Sequence, residues 1–119
     1  MRTTGVPANQ VHLALGVEHL RKAVAFAGRG KARFFDDEDP LLFIAVEAEL
    51  RKGFESINRL GNSFWQANPQ LRRHRIGELR EQLTHEYSDV DRDTVWTIVT
   101  REVPPILRKL ERPKMPKED

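Results

Sequence analysis

An all-α fold of four helices, the last of them kinked, is what this sequence predicts. Apolar residues recur at helical spacing in every major segment, and no stretch shows the sustained apolar/polar alternation of a strand. Glycine and proline signals fall between the periodic segments, at Gly28 and Gly30, at Asn68-Pro69 and at Pro104-Pro105.

The first helix is expected from about Ala8 to Ala27. Leu13, Val17, Leu20 and Val24 form its apolar face, and Gly28 and Gly30 stop it. An acidic loop, Asp36-Asp37-Glu38-Asp39, follows and leads into Pro40. Asp39 suits an N-cap with Pro40 at the first helical position, and the neighbouring carboxylates favour the positive helix end, so capping accounts for the acidic run better than a cation site does. The second helix is expected to continue to about Ala67. Its stripe of Phe43, Val46, Leu50, Gly53, Ile57, Leu60 and Phe64 alternates three and four apart, with Gly53 allowing a neighbouring helix to approach.

Asn68-Pro69 breaks that helix, because the residue before proline is pushed out of the α region. The third helix should run from about Arg75 to Tyr87 on Ile76, Leu79 and Leu83, and Asp91 then offers an N-cap for the fourth. Val95, Trp96, Val99 and Val103 carry that last helix into Pro104-Pro105, where two missing N–H donors require a kink or restart before Ile106, Leu107 and Leu110. Residues 1–111 are thus expected to form one domain and residues 112–119 a flexible charged tail.

Composition narrows the function. The 119 residues fit one core, and 20 Lys and Arg against 18 Asp and Glu give a net charge of only +2, so any basic site must be local. With no cysteine there is no disulfide framework, thiol nucleophile or thiolate metal site, and cytoplasm is the default compartment. The longest apolar run, Leu41 to Val46, is far short of a membrane span, and the start of the chain lacks the apolar core of a signal peptide.

Several motifs invite chemistry and do not sustain it. Gly28-Arg29-Gly30-Lys31 lacks the spacing, the Ser/Thr and the preceding strand of a phosphate loop. Asp89, Asp91 and Asp93 imitate a calcium loop, but Thr94 and Thr100 replace its glycine and bidentate glutamate. His12 and His19 share a helix face about 10 Å apart along the axis, too far for one ion, and read as surface residues. The run Arg72-Arg73-His74-Arg75 makes Arg72, Arg73 and Arg75 candidate contacts to a polyanion, although Glu78, Glu81 and Glu86 balance it.

The informative stretch is Arg80-Glu81-Gln82-Leu83-Thr84-His85-Glu86-Tyr87. An arginine can clamp a phosphate and stabilise the charge developing on it, and a histidine can move a proton near neutral pH, so together they suffice for RNA cleavage without a metal. On an unbroken helix, however, Arg80 and His85 diverge by about 140°, whereas Arg80 and Tyr87 lie about 20° apart. Either the helix unwinds before His85 or two protomers bring copies of these residues together, and the dimer is the preferred arrangement.

This Arg-x4-His-x-Tyr motif, with Val90-Asp91, Val95-Trp96 and Pro104-Pro105 downstream, resembles HepT-like toxins of the HEPN superfamily, securely from about Leu41 to Leu110. The resemblance implies an antiparallel four-helix HEPN-type bundle that forms a homodimer and acts as a metal-independent endoribonuclease, with RNA, possible tRNA included, as substrate and no cofactor. It further implies a toxin whose partner is a minimal nucleotidyltransferase antitoxin that adds AMP to the motif tyrosine. Carried over, Arg80 stabilises the phosphate, His85 is the general base or acid, and Tyr87 is the modification target. One departure concerns the residue after the motif arginine, usually small and polar and here Glu81, which can pair with Arg80 or repel a phosphate. The competing readings are a non-catalytic HEPN module that binds RNA, nucleotide or the transferase, and a plain helical dimerisation protein.

Overall fold

The computed structural model describes residues 7–83 and 91–117. Helix α1 (Ala8–Ala27) is the first rod of the bundle, and α3 (Leu41–Asn58) continued by the short α4 (Asn62–Ala67) is the second. The third is α5 (Arg73–Leu83), and the fourth is α6 (Arg92–Thr97), a π-helical turn (Ile98–Glu102) and α7 (Val103–Leu110). Between the first two rods lies α2 (Lys31–Phe34), and a 3-10 turn (Pro69–Leu71) precedes α5.

Neighbouring rods run antiparallel. Asn9 near the start of α1 accepts the Gly61 N–H (3.0 Å), while His19 further along meets Glu49. Arg75 at the start of α5 reaches Glu102, and Gln82 at its end lies beside Thr94. The core runs the length of the bundle on Leu20, Val46, Leu50, Phe54, Ile57, Phe64, Leu79, Val95 and Val103, all fully buried. None of the helices described is long and apolar enough to cross a membrane.

Two glycines let α1 and α3 touch. A Cβ on Gly53 would stand 2.7 Å from Leu20 Cδ2 and 3.2 Å from the Leu20 backbone nitrogen, and one on Gly16 would stand 2.7 Å from Ile57 Cγ1. The close approach expected at Gly53 is therefore present, with α1 as the neighbour. Along the same seam His19 corrects the expectation of a surface residue. Its Nδ1 lies 3.2 Å from both carboxylate oxygens of the buried Glu49, and both it and His12 are partly buried.

The second helix is shorter than expected. It ends at Asn58, where the N–H groups of Arg59 and Leu60 fold back onto Ser56 and Ile57 (both 3.1 Å), and an extended Gly61 separates it from α4. The Leu60 carbonyl freed by the break accepts the Trp65 indole N–H at 3.0 Å. Ile57, Leu60 and Phe64 stay buried across the break, so their periodicity gave no sign of it.

Helix α2 was not expected at all. Gly30 adopts φ 119°, open to glycine and rarely to other residues, and turns the chain into a single helical turn that buries Phe34. There Phe34 packs on Phe35, Phe43 and Trp96 with ring centres 5.0, 5.6 and 4.9 Å away. The Gly28-Arg29-Gly30-Lys31 stretch is thus a helix-to-helix turn, with Arg29 stacked 5.2 Å from the Phe26 ring centre.

The cap expected at Asp91 holds, whereas α3 starts at Leu41 with Pro40 at the cap position, so Asp39 stands one residue before the cap and Pro40 is not the first helical residue. Asp39 accepts the Leu41 N–H (3.2 Å), and Asp91 accepts from the Asp93 N–H (3.3 Å) and the Thr94 hydroxyl (3.2 Å). The kink expected at Pro104-Pro105 takes the form of the π turn. Two prolines cannot donate to carbonyls one turn back and their rings crowd that turn, and widening it relieves the clash. Past Glu111 the chain is irregular yet anchored, since Lys114 N–H donates to Asn68 Oδ1 and Lys114 O accepts from Asn68 Nδ2, both at 2.8 Å.

Candidate active site

Helix α5 turns Ile76, Leu79 and Leu83 into the core, which fixes what its other sides present. Residues at spacings of four and three along one flank, Arg73, Gly77 and Arg80, line a cleft of about 620 Å³. His74, Glu78 and Glu81 share that wall, and Asn58, at the end of α3, closes the far side.

Arg80 is the residue whose surroundings ask most for a ligand. Among the described residues its Nε is buried and makes no hydrogen bond. A buried guanidinium nitrogen without an acceptor is costly, and the same side chain lines the cleft, where an oxyanion can form a charge-assisted bond with the guanidinium. Glu78 is already engaged by Arg75 (3.3 Å), which leaves its charge partly neutralised at the cleft edge, and His74 Nε2 lies 3.7 Å from its other oxygen.

The three other arginines flagged by the sequence part company. Arg73 joins Arg80 in the cleft, and it is held in place: Nη1 donates to Asn62 Oδ1 (2.9 Å), and its guanidinium lies 5.5 Å from the Trp65 ring centre. Arg72 occupies the turn before α5 with φ 54° and is exposed. Arg75 lies on the opposite flank, in a second recess of about 300 Å³ with Thr94 and Thr97. The Glu102 carboxylate (3.1 Å), together with Glu78, raises the Arg75 guanidinium above its ordinary pKa. Its partners there make it a strut between α5 and the π turn. His85 and Tyr87, like Asp89, lie outside the described residues.

Asn58 and Gly77 belong to the cleft and were not singled out from the sequence. Asn58 carried no signal beyond its place at a helix end. Gly77 did: a glycine in a helix interior costs about 1 kcal/mol relative to alanine and asks for a reason. That reason is not packing, for a Cβ there would meet nothing within 4 Å, and no unusual backbone angle requires it. Among the described residues no three His, Asp or Glu side chains are grouped to hold a metal ion.

No curated protein and no solved structure matches the chain. The family model described as ribonuclease HepT-like matches residues 17–113, from the middle of α1 to beyond α7, and so covers all of the bundle but the first half of α1, with the cleft and Arg80 inside it. With an all-helical bundle and a match over most of its length, the chain belongs to the HepT-like ribonuclease family.

Proposed function

We propose that the protein is a metal-independent endoribonuclease toxin that cleaves RNA with Arg80 and His85. The observation that carries this reading is the buried, unpartnered Nε of Arg80 at the wall of a cleft in a HepT-like chain. Arg80 binds a phosphate and stabilises the charge that builds on it as the adjacent 2′-oxygen attacks. His85 takes the 2′-hydroxyl proton, or supplies one to the departing 5′-oxygen. The new bond joins the 2′-oxygen to phosphorus and the bond to the 5′-oxygen breaks, leaving a 2′,3′-cyclic phosphate and a free 5′-hydroxyl.

The functional unit is a homodimer whose site lies at the seam, and its neutralising partner is a minimal nucleotidyltransferase that adds AMP to Tyr87. An AMP group on Tyr87 carries a negative charge and bulk to the neighbourhood of Arg80, where it competes with the RNA backbone. Arg73 supports the substrate in the same cleft. Arg72 is free to meet a passing backbone, while Arg75 contributes to RNA binding only at the expense of Glu78 and Glu102.

The test is cleavage of total tRNA in EDTA, comparing wild type with Arg80→Ala and His85→Ala and weighing each protein for added AMP. Wild type should cut and both variants should lose the activity by a hundredfold or more. Equal cleavage by either variant removes that residue from the reaction. The presence of Glu78 and Glu81 at the cleft favours a second reading, a HEPN module that binds RNA or nucleotide without turnover. Tight binding by unmodified wild type with no product would establish it.

A further inference from the structure

Gly77 sits midway between Arg73 and Arg80 on the cleft wall, in the interior of an eleven-residue helix. Neither packing nor backbone geometry requires glycine at this position, since a Cβ would enter open space. What the missing side chain does leave is a bare strip of helix surface joining the two arginines. They stand seven residues apart, about 10 Å along the axis and nearly on one line. At one end of the strip Arg80 lines the cleft, and its Nε is buried without a hydrogen-bond partner among the described residues. At the other, the exposed Arg73 is oriented by its hydrogen bond to Asn62 and by the Trp65 ring.

We infer that Gly77 is the crossing point where an RNA backbone passes over α5, with Arg80 on the scissile phosphate and Arg73 on a second phosphate. Asn58, opposite the strip, faces the nucleotide between them and offers an amide that can pair with a base edge or a 2′-hydroxyl. This rests on the reading of the protein as a ribonuclease and extends it. The site takes more than the two nucleotides flanking the cut, and Arg73 and Gly77 set the length of strand it recognises. A Cβ at position 77 would already stand in the path of the backbone while meeting no protein atom within 4 Å.

The experiment measures the affinity of the full-length protein for 2′-O-methyl dinucleotides, tetranucleotides and hexanucleotides, which cannot be cleaved. Wild type should gain at least tenfold between the dinucleotide and the tetranucleotide. Gly77→Leu and Arg73→Ala should each lose that gain while keeping dinucleotide affinity, and Arg73→Ala should flatten the salt dependence by about one phosphate contact. Gly77→Ala serves as the control on folding: it should melt at a higher temperature than wild type, as an alanine in open helix does, and still weaken tetranucleotide binding. Wild-type length dependence in Gly77→Leu overturns the crossing even if Arg80→Ala has lost all binding, in which case the ribonuclease reading stands. Failure of wild type, shown by intact mass to carry no AMP, to bind any of the oligonucleotides overturns both.

Discussion

Asn68 uses every hydrogen-bonding position of its amide. Nδ2 donates to the carbonyls of Phe64 and Lys114 (both 2.8 Å), and Oδ1 accepts from the Lys114 N–H (2.8 Å) and from Gln70 Nε2 (3.3 Å). The side chain is fully buried, so each of these groups would otherwise go unpaired away from water. The residue ends α4 through its proline neighbour and with the same side chain fastens the chain beyond α7 to the bundle. Asn68→Ala should therefore cost about 2–3 kcal/mol, a fall of roughly 10 °C in the thermal midpoint, and limited proteolysis should then cut near Lys114 before the core. A midpoint within a degree or two of wild type would show that water replaces the amide. The sequence marks Asn68-Pro69 as a break, because that follows from local sterics; the clasp on Lys114 depends on a residue 46 positions away and has no local signature. Arg80 shows the same division. Its candidacy follows from the spacing of residue types, whereas its buried Nε emerges only once the cleft is built.

At the scale of elements, the caps and breakers were legible because each acts within a turn or two of chain. Asp91 illustrates this: it binds the Asp93 N–H and the Thr94 hydroxyl, and Asp91→Ala should lower stability by about 1 kcal/mol in denaturant titration. The division of α3 from α4 was not legible, since the core on both sides keeps one register, nor was α2, a single turn set by the positive φ of Gly30. Glycines inside helices give the sharpest contrast between sequence and structure. Gly53 and Gly77 look alike in the chain, yet a Cβ on Gly53 would press against the Leu20 backbone, and one on Gly77 would touch nothing. Opposite effects should follow from the same substitution. Gly77→Ala should stabilise by up to about 1 kcal/mol through helix propensity, whereas in Gly53→Ala that gain is outweighed by about 1–3 kcal/mol of overpacking as α1 is pushed off α3. Equal midpoints for the two variants would mean that the α1–α3 seam yields without cost.

At the scale of the whole molecule, the separation of Arg80 and His85 sets the decisive question. On an unbroken helix their side chains would point about 140° apart, an arrangement in which one protomer is poorly suited to aim both at a single phosphate. A dimer resolves the conflict if each site takes Arg80 from one copy and His85 from the other. Mixing inactive proteins tests this directly. An Arg80→Ala protomer keeps its histidine, a His85→Ala protomer keeps its arginine, and a heterodimer of the two holds one site with both groups and one with neither. After denaturation and refolding of an equal mixture, half the dimers are mixed and half of their sites are whole, so activity should return to about a quarter of wild type. Both parents alone should remain inactive. A mixture as dead as its parents, with mixed dimers demonstrated by mass, would show that a working site needs Arg80 and His85 from the same copy or from both. The chain between them would then have to leave the helical path after Leu83 or the cut would require all four side chains.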